Sequence, residues 1–308
     1  MMLRLALALL LAMAAFHPGA ARAESCEAQV SDLSFGAVSL RSGAVNRSSG
    51  TIKVTCSNAL VSAVGVCLRF GAGSGGAGAN NNPRYLRGGG QGLAYQLRLG
   101  GYGNAFGVMR DVYMLVPIVL GRGSATLPFY GEILSTGTAI PTGAYDSVFS
   151  GAAHVEMSYG ILSCDLFGQS QPVPAFRVSA EAVASCELDV GSMNFGRING
   201  LGTAPADATA AIDIRCTAGT PYSVTLGMGR GGGSDPAARR MFNGLGSLTY
   251  GLFRDAARAL PWGTAPGQTV SGSGAGGTQR YEVFGRIYQG QTTSIGTYTD
   301  SVIVTVNY

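Results

Sequence analysis

The chain has 308 residues and a formal net charge of +4, and charged side chains make up 12% of it, about half of the usual share in soluble domains. This small basic excess gives no electrostatic case for binding nucleic acid or an anionic membrane surface. The combination of 48 glycines with 46% hydrophobic residues is typical of short strands joined by glycine turns rather than of a disordered chain.

Residues 1–23 have the pattern of a secretory signal peptide. An apolar stretch over residues 3–15 is too short to span a bilayer, and Ala21-Arg22-Ala23 supplies small residues at the cleavage positions. We predict cleavage after Ala23, which leaves only Glu24 and Ser25 before the first cysteine; a short membrane anchor is the alternative. Removing two arginines leaves 19 basic and 17 acidic residues, a charge of +2.

Six cysteines follow the signal, and an even number in an exported chain predicts three disulfides out of 15 pairings in principle. An internal repeat narrows the choice, because Cys26 to Cys56 and Cys186 to Cys216 have the same spacing of 30 positions. The repeat predicts those two bonds, and elimination leaves Cys67 to pair with Cys164.

The repeat continues along the chain. "LSFG" at 33–36 and "MNFG" at 193–196 each place a phenylalanine nine positions after the first cysteine of their copy. Alternating apolar and polar residues then predict paired strands in both copies: "TIKVTC" and "AIDIRC", "VGVCLRF" and "YSVTLGM", "LAYQLRL" and "LTYGLFRD", "PFYGEI" and "YEVFGRI", and "AAHVEMSY" and "SVIVTVNY". We therefore predict an all-β protein with two tandem sandwich domains, 24–160 and 186–308, joined by a linker at 161–185.

Catalytic and cofactor motifs are weak in this sequence. The histidines are His17, inside the signal, and His154, inside an alternating strand, so we predict no catalytic residues, no metal site and no cofactor. Two matches to G-x-G-x-x-G begin at Gly71 and Gly227, but neither is followed by a convincing helix. A dinucleotide site needs that helix, so we interpret both segments as loops of the sandwich.

The chain closes on a longer motif, "GTYTDSVIVTVNY" at 296–308. Together with the first cysteine, the aromatic-Gly landmark and the second cysteine, this motif resembles the spore coat protein U domain. Both copies resemble that family, and the first is the more divergent.

The resemblance implies subunits of archaic chaperone–usher pili, with immunoglobulin-like domains that lack a final strand. An N-terminal extension of the next subunit fills the gap, and a periplasmic chaperone covers it until the outer-membrane usher assembles the fibre. We expect the C-terminal domain to lack its final strand and to accept a donor from a pilin subunit.

The segment "FRVSAEAVA" at 176–184 resembles such a donor strand, with Phe176, Val178, Ala180, Ala182 and Ala184 on one face. Our hypothesis is that it completes the first domain in cis, with Pro172 and Pro174 making the turn before it. The alternative is an extended linker or the first strand of the second domain.

Two apolar, glycine-rich segments are candidate adhesive loops of the first domain. The candidate contact residues are Tyr102, Phe106, Val108, Met109 and Ile140. Exposed apolar side chains in such loops can adhere to hydrophobic surfaces without a shaped pocket.

These observations favour a non-enzymatic subunit at the tip of a pilus on the cell surface, exported through the periplasm, which attaches to an abiotic or host surface and supports biofilm formation. The absence of a donor extension before Cys26 is the feature that favours the tip. The alternatives are a non-tip pilus adaptor, a spore-coat-type structural protein and, least favoured, a secreted enzyme.

Overall fold

The computed structural model describes residues 24–308 except 101–104, 106–110, 136, 162, 165–167, 201 and 203. In this part the chain forms strands and one short 3-10 turn, Ala79–Asn81. None of its helices has the length and hydropathy needed to cross a membrane. The predicted all-β class and the two tandem domains are confirmed.

The described residues of the first domain form twelve strands in two sheets. They are β1 (Ser25–Val30), β2 (Leu33–Val38), β3 (Arg47–Ser57), β4 (Ala63–Phe70), β5 (Arg84–Gly88), β6 (Gln91–Leu99), β7 (Val112–Pro117), β8 (Arg122–Ile133), β9 (Gly143–Phe149), β10 (Val155–Ile161), β11 (Gln169–Pro172) and β12 (Phe176–Ala182). The larger sheet has the order β1-β3-β8-β6-β5-β9-β12-β2, and the smaller has the order β11-β10-β4-β7.

The second domain has eight strands. They are β13 (Cys186–Val190), β14 (Ala206–Cys216), β15 (Pro221–Leu226), β16 (Arg239–Phe242), β17 (Ser247–Phe253), β18 (Val270–Ser273), β19 (Gln279–Ile287) and β20 (Val304–Asn307). Its sheets have the orders β13-β14-β19-β17-β16 and β18-β15-β20. Every repeated strand pair predicted from the sequence is present, and the second domain has a shorter version of the same arrangement.

Alternation of side chains explains why these segments form strands. In β3 the apolar side chains of Ile52, Val54 and Cys56 are fully buried while their neighbours are exposed. In β14, Ile212 and Ile214 occupy the matching positions in the second core. One face of each strand therefore joins the hydrophobic core between the two sheets, and burial of that face stabilises the sandwich.

The aromatic landmarks have matching places in the two cores. The ring of Phe35 meets that of Tyr95 edge-on at 6.5 Å, and Phe195 meets Tyr250 edge-on at 6.4 Å. Each phenylalanine also lies over a glycine at which an added Cβ would collide with the ring. Phe35 lies over Gly131 in β8, and Phe195 lies over Gly285 in β19. The repeat in sequence is thus a repeat in packing.

The two ends of the first domain are set by the β3–β8 pair. At one end of this pair Arg47 faces Glu132, and at the other end Ser57 faces Arg122. The loops 39–46 and 134–142 lie at the first end, where the chain continues into the second domain, and we call it the junction end. The loops 58–62 and 118–121 lie at the other end, which we call the free end.

Candidate functional site

The described residues offer no catalytic or metal arrangement on which to build a site. No group of three or more His, Cys, Asp or Glu side chains is close enough to hold a metal ion in the part of the chain that the structure describes. His154 lies just before β10, and its backbone carbonyl accepts a hydrogen bond from Gly71 N at 2.9 Å. The features that can be described as a candidate site are instead an open strand edge and exposed apolar loops.

Three disulfides join the six cysteines as Cys26–Cys56, Cys67–Cys164 and Cys186–Cys216. The first and third connect residues that face each other across β1–β3 and β13–β14. The second connects β4 to the segment that follows β10, so it fastens the start of the linker to the body of the first domain.

The linker contributes two strands to the first domain. β11 pairs with β10, and β12 lies between β9 and β2, antiparallel to β9 and parallel to β2. β12 makes no ladder with a described strand of the second domain. The segment singled out as a donor strand is therefore an interior strand of the first domain's larger sheet.

The apolar side chains of β12 fill the space between the sheets of the first domain. Val178 is fully buried, and Ala180 and Ala182 are at least 95% buried. The ring of Phe176 stacks on Phe149 with 4.6 Å between centroids and meets Phe70 edge-on at 6.0 Å. Phe176 is thus the largest buried side chain of β12. Arg177 and Glu181, on the opposite face of the strand, are exposed to solvent.

The predicted donor segment is shorter than 176–184. The strand ends at Ala182 and Ala184 lies outside it, half-buried, because the chain next turns into the second domain. There Ser185 N donates to Thr217 Oγ1 at 3.1 Å, and Thr217 N donates to the carbonyl of Ser185 at 2.9 Å. Pro172, predicted to make a turn, is instead the last residue of β11.

No strand of the described chain fills the matching space in the second domain. Thr299, the counterpart of Asp146 in β9, forms only an isolated bridge to Phe242, and residues 191–200, the counterpart of β2, form no strand. A groove of about 1450 Å³ lies between these two segments. β20 pairs only with β15, so its other edge has no partner among the described strands.

The groove has a mixed lining of polar and apolar residues, and several of the apolar ones belong to the second core. Its lining includes Met193, Phe195, Leu226, Met241, Leu248, Leu252, Val283, Val302 and Val304. Met241, Leu248 and Leu252 keep 6–7% of their surface exposed, whereas their counterparts in β5 and β6, Leu86, Leu93 and Leu97, are fully buried. An open slot that reaches apolar core residues beside an unpaired strand edge is the feature that strand addition requires.

Asp300 holds one wall of this groove in place. Its carboxylate accepts hydrogen bonds from the backbone N–H of Arg230 at 2.7 Å and Gly231 at 3.2 Å, and from Tyr250 Oη at 2.6 Å. Burial, followed by the hydrogen bond to Asp300, raises the pKa of Tyr250, so its hydroxyl keeps its proton and donates. Gly229 packs so tightly on the carboxylate that a Cβ would not fit.

The first domain has a simpler version of this contact. Ser147 Oγ, at the counterpart position, accepts a hydrogen bond from Gly75 N at 3.0 Å and touches the place that a Cβ of Gly73 would take. The two G-x-G-x-x-G segments are thus loops that pack on the β9 strand and on its counterpart, and this packing explains the glycines at Gly73 and Gly229. No α-helix follows either of them in the described residues.

A buried arginine supports each glycine-rich loop, and sequence reasoning missed both. Arg84 donates to the carbonyls of Gly71 and Phe70, both at 2.9 Å, and Arg239 donates to those of Gly227 at 2.9 Å and Trp262 at 2.6 Å. Burial lowers the pKa of Arg84 to about 10 and also lowers that of Arg239. An arginine at the same place in both copies was the available signal.

The free end of the first domain exposes large apolar side chains. Leu60 and Leu120 are fully exposed and Val119 is 72% exposed. Their loops are held together, since Ala59 N donates to the carbonyl of Gly121 at 3.2 Å and Ile118 N donates to that of Ser62 at 2.9 Å. Leu120 has a φ of 52°, an unusual backbone for a leucine, and it projects into solvent.

The predicted adhesive loops have different outcomes. Tyr102, Phe106, Val108 and Met109 lie outside the described residues, so that part stays a prediction. Ile140 is half-buried against the first core in a loop at the junction end, where neighbouring Thr138 contacts the second domain. Its position argues against contact with an external surface, and we leave it out of the proposed surface.

Comparisons with known proteins agree with this architecture. The family model described as Spore Coat Protein U domain matches residues 12–150 and 173–305. "Protein U" of Myxococcus xanthus is 30% identical over 129 residues, which cover 38% of this chain and 72% of that protein.

Among solved structures, the CsuC–CsuE complex of chaperone and tip adhesion subunit, from archaic chaperone–usher Csu pili of Acinetobacter baumannii, has a TM-score of 0.51. The match has 17% identity and covers 92% of this chain and all of that chain, so the likeness concerns the fold alone. With both of its domains matched by the family model, this chain belongs to the Spore Coat Protein U domain family.

Proposed function

We propose that this chain is a non-enzymatic tip subunit of a chaperone–usher pilus, which accepts a donor strand in its second domain and attaches to surfaces through its first. The observation that carries the proposal is an asymmetry between the two domains. The strand β12 fills the first domain from within the chain, and the equivalent place in the second domain is an open groove.

The partner for the groove is an N-terminal extension of a pilin with apolar side chains at alternate positions. β12 supplies the pattern, because its buried residues alternate with exposed ones over seven residues. The open edge and its apolar lining would promote aggregation if left bare. A periplasmic chaperone therefore covers the groove until the outer-membrane usher exchanges it for the pilin.

The free end of the first domain supports a terminal position in the fibre. Its two loops, 58–62 and 118–121, are the counterparts of 217–220 and 274–278 in the second domain. Those second-domain loops contact the first domain: Ala218 N donates to the carbonyl of Thr138 at 2.8 Å, and Thr138 Oγ1 donates to that of Gly276 at 3.1 Å. At the free end the same loops carry Leu60, Val119 and Leu120, which suit an apolar surface.

Replacing Leu60 and Leu120 together by serine tests the adhesive role. Burial of two leucines against a hydrophobic surface is worth about 3–6 kcal/mol, so we expect attachment to polystyrene and biofilm formation to fall at least several-fold at unchanged pilus number. The matched control is Val45→Ser, because Val45 is 68% exposed at the junction end, and this variant should attach normally.

Immunogold labelling tests the position in the fibre. A tip subunit gives label at fibre ends; label along the shaft or over the cell surface would instead favour an adaptor or a coat component.

Normal attachment by the variant with serine at Leu60 and Leu120 would contradict the adhesive role of the free end.

A further inference from the structure

Among the three disulfides, only Cys67–Cys164 has no counterpart in the other domain. Cys67 lies in β4 and faces Ser158 of β10. Asn307, the residue of β20 that is equivalent to Ser158, faces Ser223 of β15, so the second domain has serine where the first has cysteine. The bond is therefore an addition of the first domain to an architecture that both domains share.

This disulfide joins the start of the linker to the interior of the smaller sheet. Cys164 follows β10 and is buried, and Cys67 lies near the middle of β4. β4 has hydrogen-bonded partners on both sides, β10 on one and β7 on the other. The linker is therefore fastened covalently to a strand that its neighbours hold in place, before it continues into β11 and β12.

The same bond shortens the covalent route between the free end and the second domain. Leu60, in the free-end loop 58–62, lies seven positions before Cys67, and Cys164 lies 22 positions before Cys186. We call the route from Leu60 through the disulfide to Cys186 the covalent path. It leaves out the chain between Cys67 and Cys164, which are 97 positions apart and have β5 to β10 between them.

Tension between the two ends acts differently on β12 and on β10. β12 runs towards the junction end, where Ala182 faces Gly143. A pull from the second domain is therefore directed along β12 and across all of its hydrogen bonds at once, because these bonds are perpendicular to the strand. β10 runs the opposite way, and its last residue, Ile161, faces Val64 near the free end. A pull on that end would turn the chain back and separate the β10–β4 pairs one after another.

We propose that the Cys67–Cys164 bond carries tension along the covalent path and keeps β10 paired with β4 when β12 is pulled out. The proposal rests on the proposed function, which attaches the free end to a surface and the second domain to a fibre. It limits the extension of the first domain. Once β12 and β11 leave, the 22 positions from Cys164 to Cys186 extend to at most about 80 Å.

Single-molecule pulling of the full chain tests the bond directly, with one handle on a click-reactive residue in place of Leu60 and the other on a C-terminal tag. At the force that releases β12, the wild-type first domain should lengthen by less than about 80 Å. The variant Cys67→Ala with Cys164→Ala should lengthen by a further 320–350 Å or so, because 97 more positions enter the path. Unfolding of the second domain should give the same step in both proteins.

A variant whose first domain lengthens no further than the wild type at that force would overturn the proposal, because β10 then holds without the bond. If the variant does not fold, the wild type is pulled without and then with a thiol reductant. The same additional lengthening should appear only with the reductant, and its absence would equally overturn the proposal. Reduction of Cys186–Cys216, with a separation of 30, gives a separate step of about 100 Å.

Attachment of piliated cells under flow tests the bond in the fibre. The variant Cys67→Ala with Cys164→Ala should attach to polystyrene like the wild type in still medium and detach at a several-fold lower shear stress. The matched control is Cys26→Ala with Cys56→Ala, because that disulfide lies in the same domain but outside the covalent path from Leu60; it should detach like the wild type.

The outcomes of the flow experiment separate the proposal from the proposed function. Equal shear resistance of both variants and the wild type would overturn the role of the bond, and equal losses in the two variants would assign the effect to lowered stability instead. A wild type that fails to attach in still medium contradicts the proposed function, and the pulling result then still decides whether the bond carries tension.

Discussion

At the scale of single residues, the two domains differ most where β9 and its counterpart pass the glycine-rich loop. The first domain uses the hydroxyl of Ser147 there, and the second uses the carboxylate of Asp300. In the first domain β12 also pairs with this strand along its whole length, from Phe149 to Gly143. The second domain lacks that pairing, so the stronger, charge-assisted hydrogen bonds of Asp300 position the wall of an unfilled groove.

Replacing Asp300 by alanine should therefore destabilise the second domain. The change removes four hydrogen bonds, including one from Ser301 N at 2.8 Å, and leaves the hydroxyl of Tyr250 without this acceptor. We therefore expect a loss of about 2–4 kcal/mol. Denaturant unfolding followed by fluorescence of Trp262 measures the effect, since this tryptophan is the single one in the chain and is fully buried in the second core. The control Asp189→Ala, at an exposed position of β13, should change stability by less than about 0.5 kcal/mol; equal effects of the two changes would contradict the role given to Asp300.

At the scale of elements, β12 is the strand whose place the sequence left open. Alternation in 176–182 predicted a strand with one apolar face, but it did not determine which domain that face completes. The strand register in the structure shows that β12 completes the first domain, because Phe176 faces Phe149 of β9 and Val178 faces Leu33 of β2. The strand β11 was missed because "QSQP" has no apolar alternation. Its pairing with β10 depends on backbone hydrogen bonds and on one side-chain hydrogen bond, from Tyr159 Oη to Gln169 Oε1 at 3.2 Å.

Phe176→Ala tests how far the first domain depends on this strand. Removing a fully packed ring leaves a cavity against Phe149 and Phe70, and such changes cost about 3–5 kcal/mol. Calorimetry should show a lower melting temperature for the first domain, with the unfolding of Trp262 unchanged. Arg177→Ala is the control on the same strand, because its ion pair with Asp146 is exposed and worth at most about 1 kcal/mol. Two variants that melt alike would show that β12 contributes little to the first core.

At the scale of the whole molecule, the two domains have the same architecture in different states of completion. Tyr95 and Tyr250, Arg84 and Arg239, and the two glycine-rich loops lie in matching places. The first domain contains β12 beside β9, and the second domain has a groove at the equivalent place. A comparison of the two domains therefore shows which strand the second domain lacks.

A peptide with the sequence of β12, "FRVSAEA", should therefore stabilise the second domain selectively. Ligand at a hundred times its dissociation constant adds about 2.7 kcal/mol of stability, so the transition reported by Trp262 should move to higher temperature while that of the first domain stays in place. A peptide with serine at the positions of Phe176 and Val178 is the matched control and should have no effect. No shift with the native peptide, or a shift of the first domain, would contradict an open acceptor groove.

The sequence by itself determined the repeated strands, the duplicated architecture and the family. Alternating burial, the repeated cysteine spacing and the closing motif are local patterns, and local patterns are visible in a linear chain. Only the tertiary structure decided that Leu60 and Leu120 share one end of the first domain and that Ile140 is half-buried at the other. It also decided that Arg84 and Arg239 are buried and bind the glycine-rich loops. These outcomes depend on register between strands far apart in the chain, and register is fixed by packing between the sheets rather than by the residues of any one strand.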